Sequence, residues 1–413
     1  MTDLTLRAVS DGDDYNSFAA SSYEVFLQDP RQDEIDLARA FTEYGRMFGF
    51  HDGTRWVATA GAFSKHVVLP GGGLTPVAAV TAVTVSPSHR RRGLLTAMMR
   101  HQLDDIRARG TEALAMLFAS EAAIYGRFGY GMAVPVAELS GNVRELRFRE
   151  DVELGDGSVT HVDAETLLAG GPEIHQRAMV QRPGLMERPG RWWDHWIHDS
   201  EERRKEAGKI RFLLHREADG TVSGFAIYRP KNSWTDRGQP NSELHVQEVM
   251  ATNHHAYARI WRYLLDMDLV RTVMYDGAAV DEPLLSLVAD RRALACQVRD
   301  GVYVRLVDVR RALTLRSYAA PVDVVLDVTD EFCPWNSGRW RLSGGPDGTQ
   351  CETSTAPADI AISARDLGAV YLGGVNLQAV ANAGLVEEMT PGSVHRTAVA
   401  FSWPVAPGVP DDF

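Results

Sequence analysis

The chain has 413 residues, enough for roughly two to four domains of ordinary size. Apolar residues make up 45% and charged residues 24%, a globular balance. The net charge of −12 argues against nucleic acid or anionic membrane as a partner and mildly favours cationic ligands such as polyamines. Cys296, Cys333 and Cys351 are odd in number and lack CxxC spacing, so a reducing, cytoplasmic setting is expected rather than a disulfide framework. The N-terminal residues show no basic-then-apolar signal pattern, and no apolar run of about 18 residues could span a bilayer.

In chain order, strands are predicted at Thr54–Phe63 and Val77–Val85, joined by a glycine turn at 71–73. A helix is predicted over Thr96–Arg109, where Leu95, Met99 and Leu103, with Met98 and Ile106, form an apolar face and Gly110 supplies the stop. Leu114–Phe118 reads as a buried strand. A second αβ region has strands at Lys209–Arg216, Thr221–Tyr228 and Glu243–Ala251, a helix at His255–Asp266 and a strand at Leu269–Tyr275, with long loops at 182–191 and 231–240. The last 110 or so residues change character. A short helix is expected at Val307–Tyr318, a strand at Val322–Val328 and a hairpin turn around 343–348. Short helices are expected at Asp366–Leu372 and Leu377–Ala383, and an aromatic strand at Val399–Trp403 before a proline-rich tail.

The sharpest motif runs from Ala82 to Leu95, AVTVSPSHRRRGLL. It orders a strand, a basic loop with a glycine, and a helix start. Unpaired N–H groups at a helix N-terminus, together with the helix dipole, suit a pyrophosphate. Gly93 permits close approach, and Arg90, Arg91 and Arg92 add charge-assisted bonds. The bland alternative is a basic helix start on a solvated face. Arg90-x-x-Gly93-x-Leu95 resembles the pyrophosphate loop of GNAT-superfamily acetyltransferases and departs from it at Leu95, where a small residue is usual. The resemblance implies that the preceding strand splays from its neighbour and pairs with the pantetheine arm of coenzyme A.

The second motif, ASEAAIYGRFGYG at 119–131, follows the buried strand. The resemblance to GNAT folds implies that this strand lies beside the cofactor strand and that Tyr125, at the start of the next helix, would stand near the thioester sulfur. A phenol of pKa about 10 stays protonated at neutral pH and can donate to the departing thiolate. Packing is the alternative for Tyr125 and the preferred reading for Tyr130.

HRRRGLL, SEAAIYGRFGYG and a tail ending in Phe, over the whole chain, resemble the Eis (enhanced intracellular survival) family. That resemblance implies an α/β (α+β) protein: two fused GNAT-like domains with mixed central sheets, at 1–150 and 151–300, and a sterol-carrier-protein-like domain at 301–413. It implies an N-acetyltransferase that uses acetyl-CoA and no metal, acts on amines including aminoglycosides, and assembles as a homohexamer. Val83, Thr84, Val85, Arg90, Arg91, Arg92, Gly93, Leu94, Leu95, Thr96, Ser120 and Glu121 would contact acetyl-CoA. Tyr125 would be the general acid, and the terminal carboxylate of Phe413 would accept the amine's proton through water.

The tail has three prolines within 404–410, which stiffen it, although termini are commonly loose. An α-carboxylate has an ordinary pKa of about 3.3–3.7, low for a base; burial would raise it, and otherwise it would orient water and hold an ammonium group. The second region has Thr252-Asn253-His254-His255-Ala256 after its strand and no RxxGxG loop, so it is expected to be catalytically silent. His195 and His198 lie at i, i+3 without further ligand spacing, and packing is expected. Asp29, Glu121, Asp411 and Asp412 would suit a polycation or be solvated acids, with Asp29 and Asp412 assigned to substrate binding. Lysine acetylation of proteins, an apolar-ligand carrier built on the C-terminal domain, and another donor such as propionyl-CoA are the alternatives.

Overall fold

The computed structural model describes residues 4–409 and 412–413; Asp411 lies outside them. The N-terminal third runs β1 (Thr5–Ala8), α1 (Gly12–Val25), α2 (Gln32–Arg39), β2 (Met47–His51), β3 (Trp56–Val68), β4 (Leu74–Val85), α3 (Leu94–Arg109), β5 (Leu114–Phe118), α4 (Ala122–Tyr125) and β6 (Gly131–Asn142). There follow β7 (Ser158–Val162), α5 (Ala164–Met179), α6 (Trp192–Trp196), α7 (Glu201–Arg204), β8 (Arg211–Arg216), β9 (Val222–Lys231), β10 (Ser242–Ala251), α8 (His254–Leu265), β11 (Val270–Ala278), α9 (Leu284–Leu287) and β12 (Leu294–Leu306). The last part holds α10 (Val309–Leu315), β13 (Val322–Thr329), β14 (Gly338–Gly345), β15 (Gly348–Thr353), β16 (Ile360–Ser363), α11 (Ala364–Val370), α12 (Leu377–Asn382), β17 (Val386–Glu388) and α13 (Ser393–Phe401).

Two compact units emerge. The first comprises residues 4–134, 301–404 and 412–413, and the second Pro135–Asp300 with Val405–Val409. In the first, strands β1 to β5 neighbour one another in sequence order and the end of β12 joins β5. β4 and β5 are parallel, and the other pairs are antiparallel. The C-terminal residues of the same unit form a separate five-stranded sheet, ordered β15-β14-β13-β16-β17. In the second unit β6-β11-β10-β9-β8-β7 are neighbours, with the parallel pair at β10–β11.

The elements follow from local chemistry. In α3, Leu94, Met98, Met99, Leu103 and Ile106 are buried on one face, and Gly110 ends the helix at φ 68°. β5 is apolar throughout because both its faces are covered. Arg46 and Glu112 form a buried ion pair (2.5 Å) behind the N-terminal sheet. Among the described residues, no helix is long and apolar enough to cross a membrane, and Cys296, Cys333 and Cys351 are free thiols.

One expectation is corrected. Val399–Trp403 is not a strand: Ser393–Phe401 is a helix, burying Val394, Thr397, Ala398 and Phe401. Those positions follow helical spacing, which a five-residue window is too short to reveal. Phe401 is held by the Tyr318 ring (5.0 Å) and by the buried Arg316, which donates to its carbonyl (3.0 Å).

In the second unit Glu282 is buried beside Tyr257, whose hydroxyl donates to it, and burial pushes its pKa up to about 7. Its native form therefore keeps a proton that the unfolded chain releases, and stability falls as pH rises from the ordinary carboxylate range to about 7. Glu282→Gln is expected to stabilise the protein more at pH 8 than at pH 5, by up to about 3 kcal/mol, measured by urea unfolding at the two pH values.

Candidate active site

The site starts at a fault in the sheet. β4 and β5 pair only at Ala78↔Ala115 and Ala79↔Met116. Beyond that, the β3–β4 register slips between Thr59 and Gly61, and Ala82 takes a left-handed φ of 51°. The Thr59 hydroxyl holds the irregularity, donating to the Ala82 carbonyl (2.7 Å) and meeting the Thr84 hydroxyl at 2.5 Å. Val83–Val85 continue along β3, but on the β5 side they have no ladder partner among the described residues. An extended ligand can use such an edge as an added strand would.

The chain then turns through Pro87–His89 to α3. Gly93, at φ 79°, is the N-cap and supplies no side-chain cap. The first intrahelical bond, Ala97 N–H to the Gly93 carbonyl (3.0 Å), leaves the N–H groups of Leu94, Leu95 and Thr96 without helical acceptors. Arg90, Arg91 and Arg92 are exposed and make no ion pair or hydrogen bond among the described residues. Leu95, the departure from the expected loop, turns its side chain against the core beside Val83, so its bulk does not block the helix start. The corresponding helix of the second unit differs. Asn253 caps α8 by accepting from the Ala256 N–H (2.9 Å), which occupies a donor that α3 leaves open.

Ser120 and Glu121 are exposed after β5. Tyr125 closes the one-turn helix α4 rather than opening a helix, and only 5% of its surface is exposed. Burial, with a smaller contribution from the Glu121 carboxylate, pushes its phenol up to about 12. Tyr130 is fully buried and packs edge-on to Tyr125 at 6.0 Å. The ring of Phe413 lies 5.2 Å from that of Phe118, the last residue of β5. Phe413 thus stands at the end of the strand from which β4 has separated. Asp412 beside it is exposed, as is Asp29 in the loop between α1 and α2, and no hydrogen bond or ion pair joins Asp29 to the other site residues. His195 packs against Trp192 (6.0 Å), and its carbonyl accepts from Arg203 (2.6 Å).

Sequence reasoning missed a water-sized cavity of about 10 Å³ beside Thr84 and Ser86, lined also by Ser21, Glu24 and Arg55. Its α1 wall was not predicted, although Asp11 caps that helix by accepting from the Asp13 and Asp14 N–H groups, a readable signal.

This interrupted parallel pair, followed by an uncapped, arginine-flanked helix, lies in the segment that matches an acetyltransferase domain, and the fold and comparisons together define the chain's class as acetyltransferase. The acetyltransferase (GNAT) domain family matches residues 6–133 and, by a second description of the same domain, 184–306, and the sterol carrier protein domain matches 309–410. The chain is 43% identical over 385 residues to an N-acetyltransferase from Streptomyces avermitilis, covering 92% of each. It is 31% identical to N-acetyltransferase Eis of Mycobacterium tuberculosis, covering 86% of this chain and 85% of that one. The crystal structure of Eis1 from Mycobacterium abscessus superposes with a TM-score of 0.86 at 30% identity, covering 99% of this chain and all of that one. The protein belongs to the Eis family of GNAT N-acetyltransferases. It is an acetyltransferase enzyme with two GNAT domains and a sterol-carrier-like domain.

The open space around Gly93 shows that its backbone conformation, not crowding, demands glycine. Gly93→Ala is expected to cost about 1–2 kcal/mol for the left-handed conformation, read as a lowered denaturant midpoint with an unchanged slope.

Proposed function

We propose that the enzyme transfers the acetyl group of acetyl-CoA to a primary amine of a polycationic small molecule such as an aminoglycoside. The observation that carries this reading is the Phe413 ring against Phe118, which supports a C-terminal carboxylate beside the gap between β4 and β5. In this reading the pantetheine arm pairs with Val83, Thr84 and Val85. The pyrophosphate takes the N–H groups of Gly93, Leu94, Leu95 and Thr96, with Arg90, Arg91 and Arg92 around it, and Ser120 and Glu121 flank the thioester. The net charge of −12 and the exposed Asp29, Glu121 and Asp412 favour a polycation.

The amine nitrogen attacks the thioester carbonyl carbon, and its proton passes through water to the Phe413 carboxylate. Backbone N–H near Val85 polarises the carbonyl oxygen. The tetrahedral intermediate collapses, the carbon–sulfur bond breaks, and Tyr125 donates a proton to the sulfur, so that free thiol leaves. With its pKa raised to about 12, Tyr125 is protonated across the physiological range and is a reluctant full donor to a thiolate. A hydrogen bond strengthening as charge reaches the sulfur does most of what is needed. The second GNAT domain is read as silent, the capped start of α8 supporting this. A homohexamer in the cytoplasm is proposed from family resemblance.

A carrier role for the C-terminal domain gains no support from a cleft of about 470 Å³ there, whose lining includes Asp308, Arg310, Arg311, Thr314, Gln350 and Glu352 and is polar and charged.

Free-thiol release with aminoglycosides, polyamines and lysine peptides tests the reading. Turnover confined to lysine peptides would transfer the assignment to protein acetylation. Tyr125→Phe is expected to lower kcat by about 10²–10⁴-fold with acetyl-CoA binding nearly unchanged. No alkaline limb owed to Tyr125 should appear below pH 10 in the kcat/KM profile, because raising the pKa delays loss of its proton. A limb near pH 8 that vanishes in Tyr125→Phe would contradict this. Deletion of Phe413 should depress kcat at least about tenfold, and a fully active truncated enzyme would remove the carboxylate from the mechanism.

A further inference from the structure

The turn after Tyr125 contains Gly126, Gly129 and Gly131, and the proposed chemistry uses none of them. Their surroundings account for the spacing. A Cβ on Gly131 would lie 2.0 Å from the Arg365 carbonyl oxygen and 2.4 Å from the Ala369 nitrogen, both in the backbone of α11. Gly129, at φ 81°, would drive a Cβ to 2.6 Å from the Arg305 guanidinium. At Gly126 the nearest group is the guanidinium of Arg365, at 3.0 Å. The sterol-carrier-like domain and β12 are therefore seated directly on this turn.

Beneath it lies a buried charged network. Arg305 has no exposed surface, and its Nη2 reaches both oxygens of Asp330 at 2.9 and 2.7 Å. Asp330 in turn accepts from the Cys333 N–H (2.9 Å) and the Asn336 side chain (3.0 Å). Phe332, in the same segment, packs edge-on to Phe128 at 5.0 Å. Tyr130, between this network and Tyr125, packs on the Tyr125 ring at 6.0 Å and donates its N–H to the Tyr125 carbonyl (3.3 Å). The Cys333 thiol also lies against the Arg305 guanidinium. Replacing a buried ion pair by apolar residues is often neutral or stabilising, so stability alone is a weak reason for this one, and its contact with the Gly126–Gly131 turn points to placement as its use.

We propose that Arg305 and Asp330 are positioning residues for Tyr125, and that the sterol-carrier-like domain fixes the proton donor by holding the Gly126–Gly131 turn. This rests on the reading of Tyr125 as that donor. Asp330 fixes the guanidinium, the guanidinium seats Gly129, and the seated turn orients the Tyr125 ring. The proposed coenzyme A elements, Val83–Val85 and the start of α3, make no hydrogen bond or ion pair with Arg305, Asp330 or the turn among the described residues, although Val83 and Leu95 pack against the same apolar core as Tyr125.

The test uses full-length Asp330→Asn and Arg305→Lys, with 3-fluorotyrosine at position 125 as a reporter of its ring. Lysine keeps the charge opposite Asp330 but loses the planar fork, so it carries the test if Asp330→Asn does not fold. We expect kcat to fall about tenfold or more while KM for acetyl-CoA stays within about twofold, and the fluorine signal to shift or broaden. Asp330→Asn added to Tyr125→Phe should cost little beyond Tyr125→Phe alone, because both act through one group. Folded variants with unchanged kcat and an unchanged fluorine signal would overturn the proposal, as would losses that multiply in the double variant. Full activity in Tyr125→Phe would instead remove the donor reading, and the fluorine signal would still report whether the pair holds that ring.

Discussion

Everything at the site depends on a parallel strand pair that stops early. β4 and β5 share two residue pairs and then lose their ladder where Ala82 enters the left-handed region. A backbone edge left unpaired inside a protein is costly unless something satisfies it. Here the edge opens beside an uncapped helix start with three exposed arginines. The Phe413 ring packs on Phe118 at the end of β5, beyond the point where β4 and β5 separate. The proposed cofactor edge and anion site thus adjoin one irregularity, a bulge held by two threonine hydroxyls.

The two GNAT domains show how little separates an open helix start from a closed one. α3 begins with a glycine that offers no cap, and α8 begins with an asparagine whose side chain satisfies its own helix. A self-capped terminus has already spent one of the donors that an anion would use. The sterol-carrier-like domain shares a compact unit with the first GNAT domain, and its glycine-lined seat against the turn after Tyr125 gives that association a structural reason.

Burial around Tyr125 cuts two ways. Removing the phenol from water keeps it protonated but makes it less willing to give the proton up. In the proposed role of donor, Tyr125 would act through a well-aligned hydrogen bond, and alignment depends on how firmly the turn is held. The Arg305–Asp330 pair is fully buried, and a buried ion pair is an expensive device for stability alone.

The sequence by itself determined the features that depend on local order. Leu114–Phe118 was legible as a buried strand because it is short and wholly apolar. The helix ending at Gly110 and the loop Arg90–Gly93 were legible because amphipathic spacing and glycine have local causes. α1 and α5 and the strands β6 and β12 were not assigned, and Val399–Trp403 was misread because a five-residue apolar run does not declare its period. Only the tertiary structure decided what distant segments do to one another. Phe118 and Phe413 are far apart in the chain, as are Arg305, Asp330 and Gly129, and no local pattern says that their side chains meet. The GRFGYG run did carry a trace of that packing. A glycine that no positive φ requires, such as Gly131, marks a place where another backbone must come close, and what comes close is fixed by the fold.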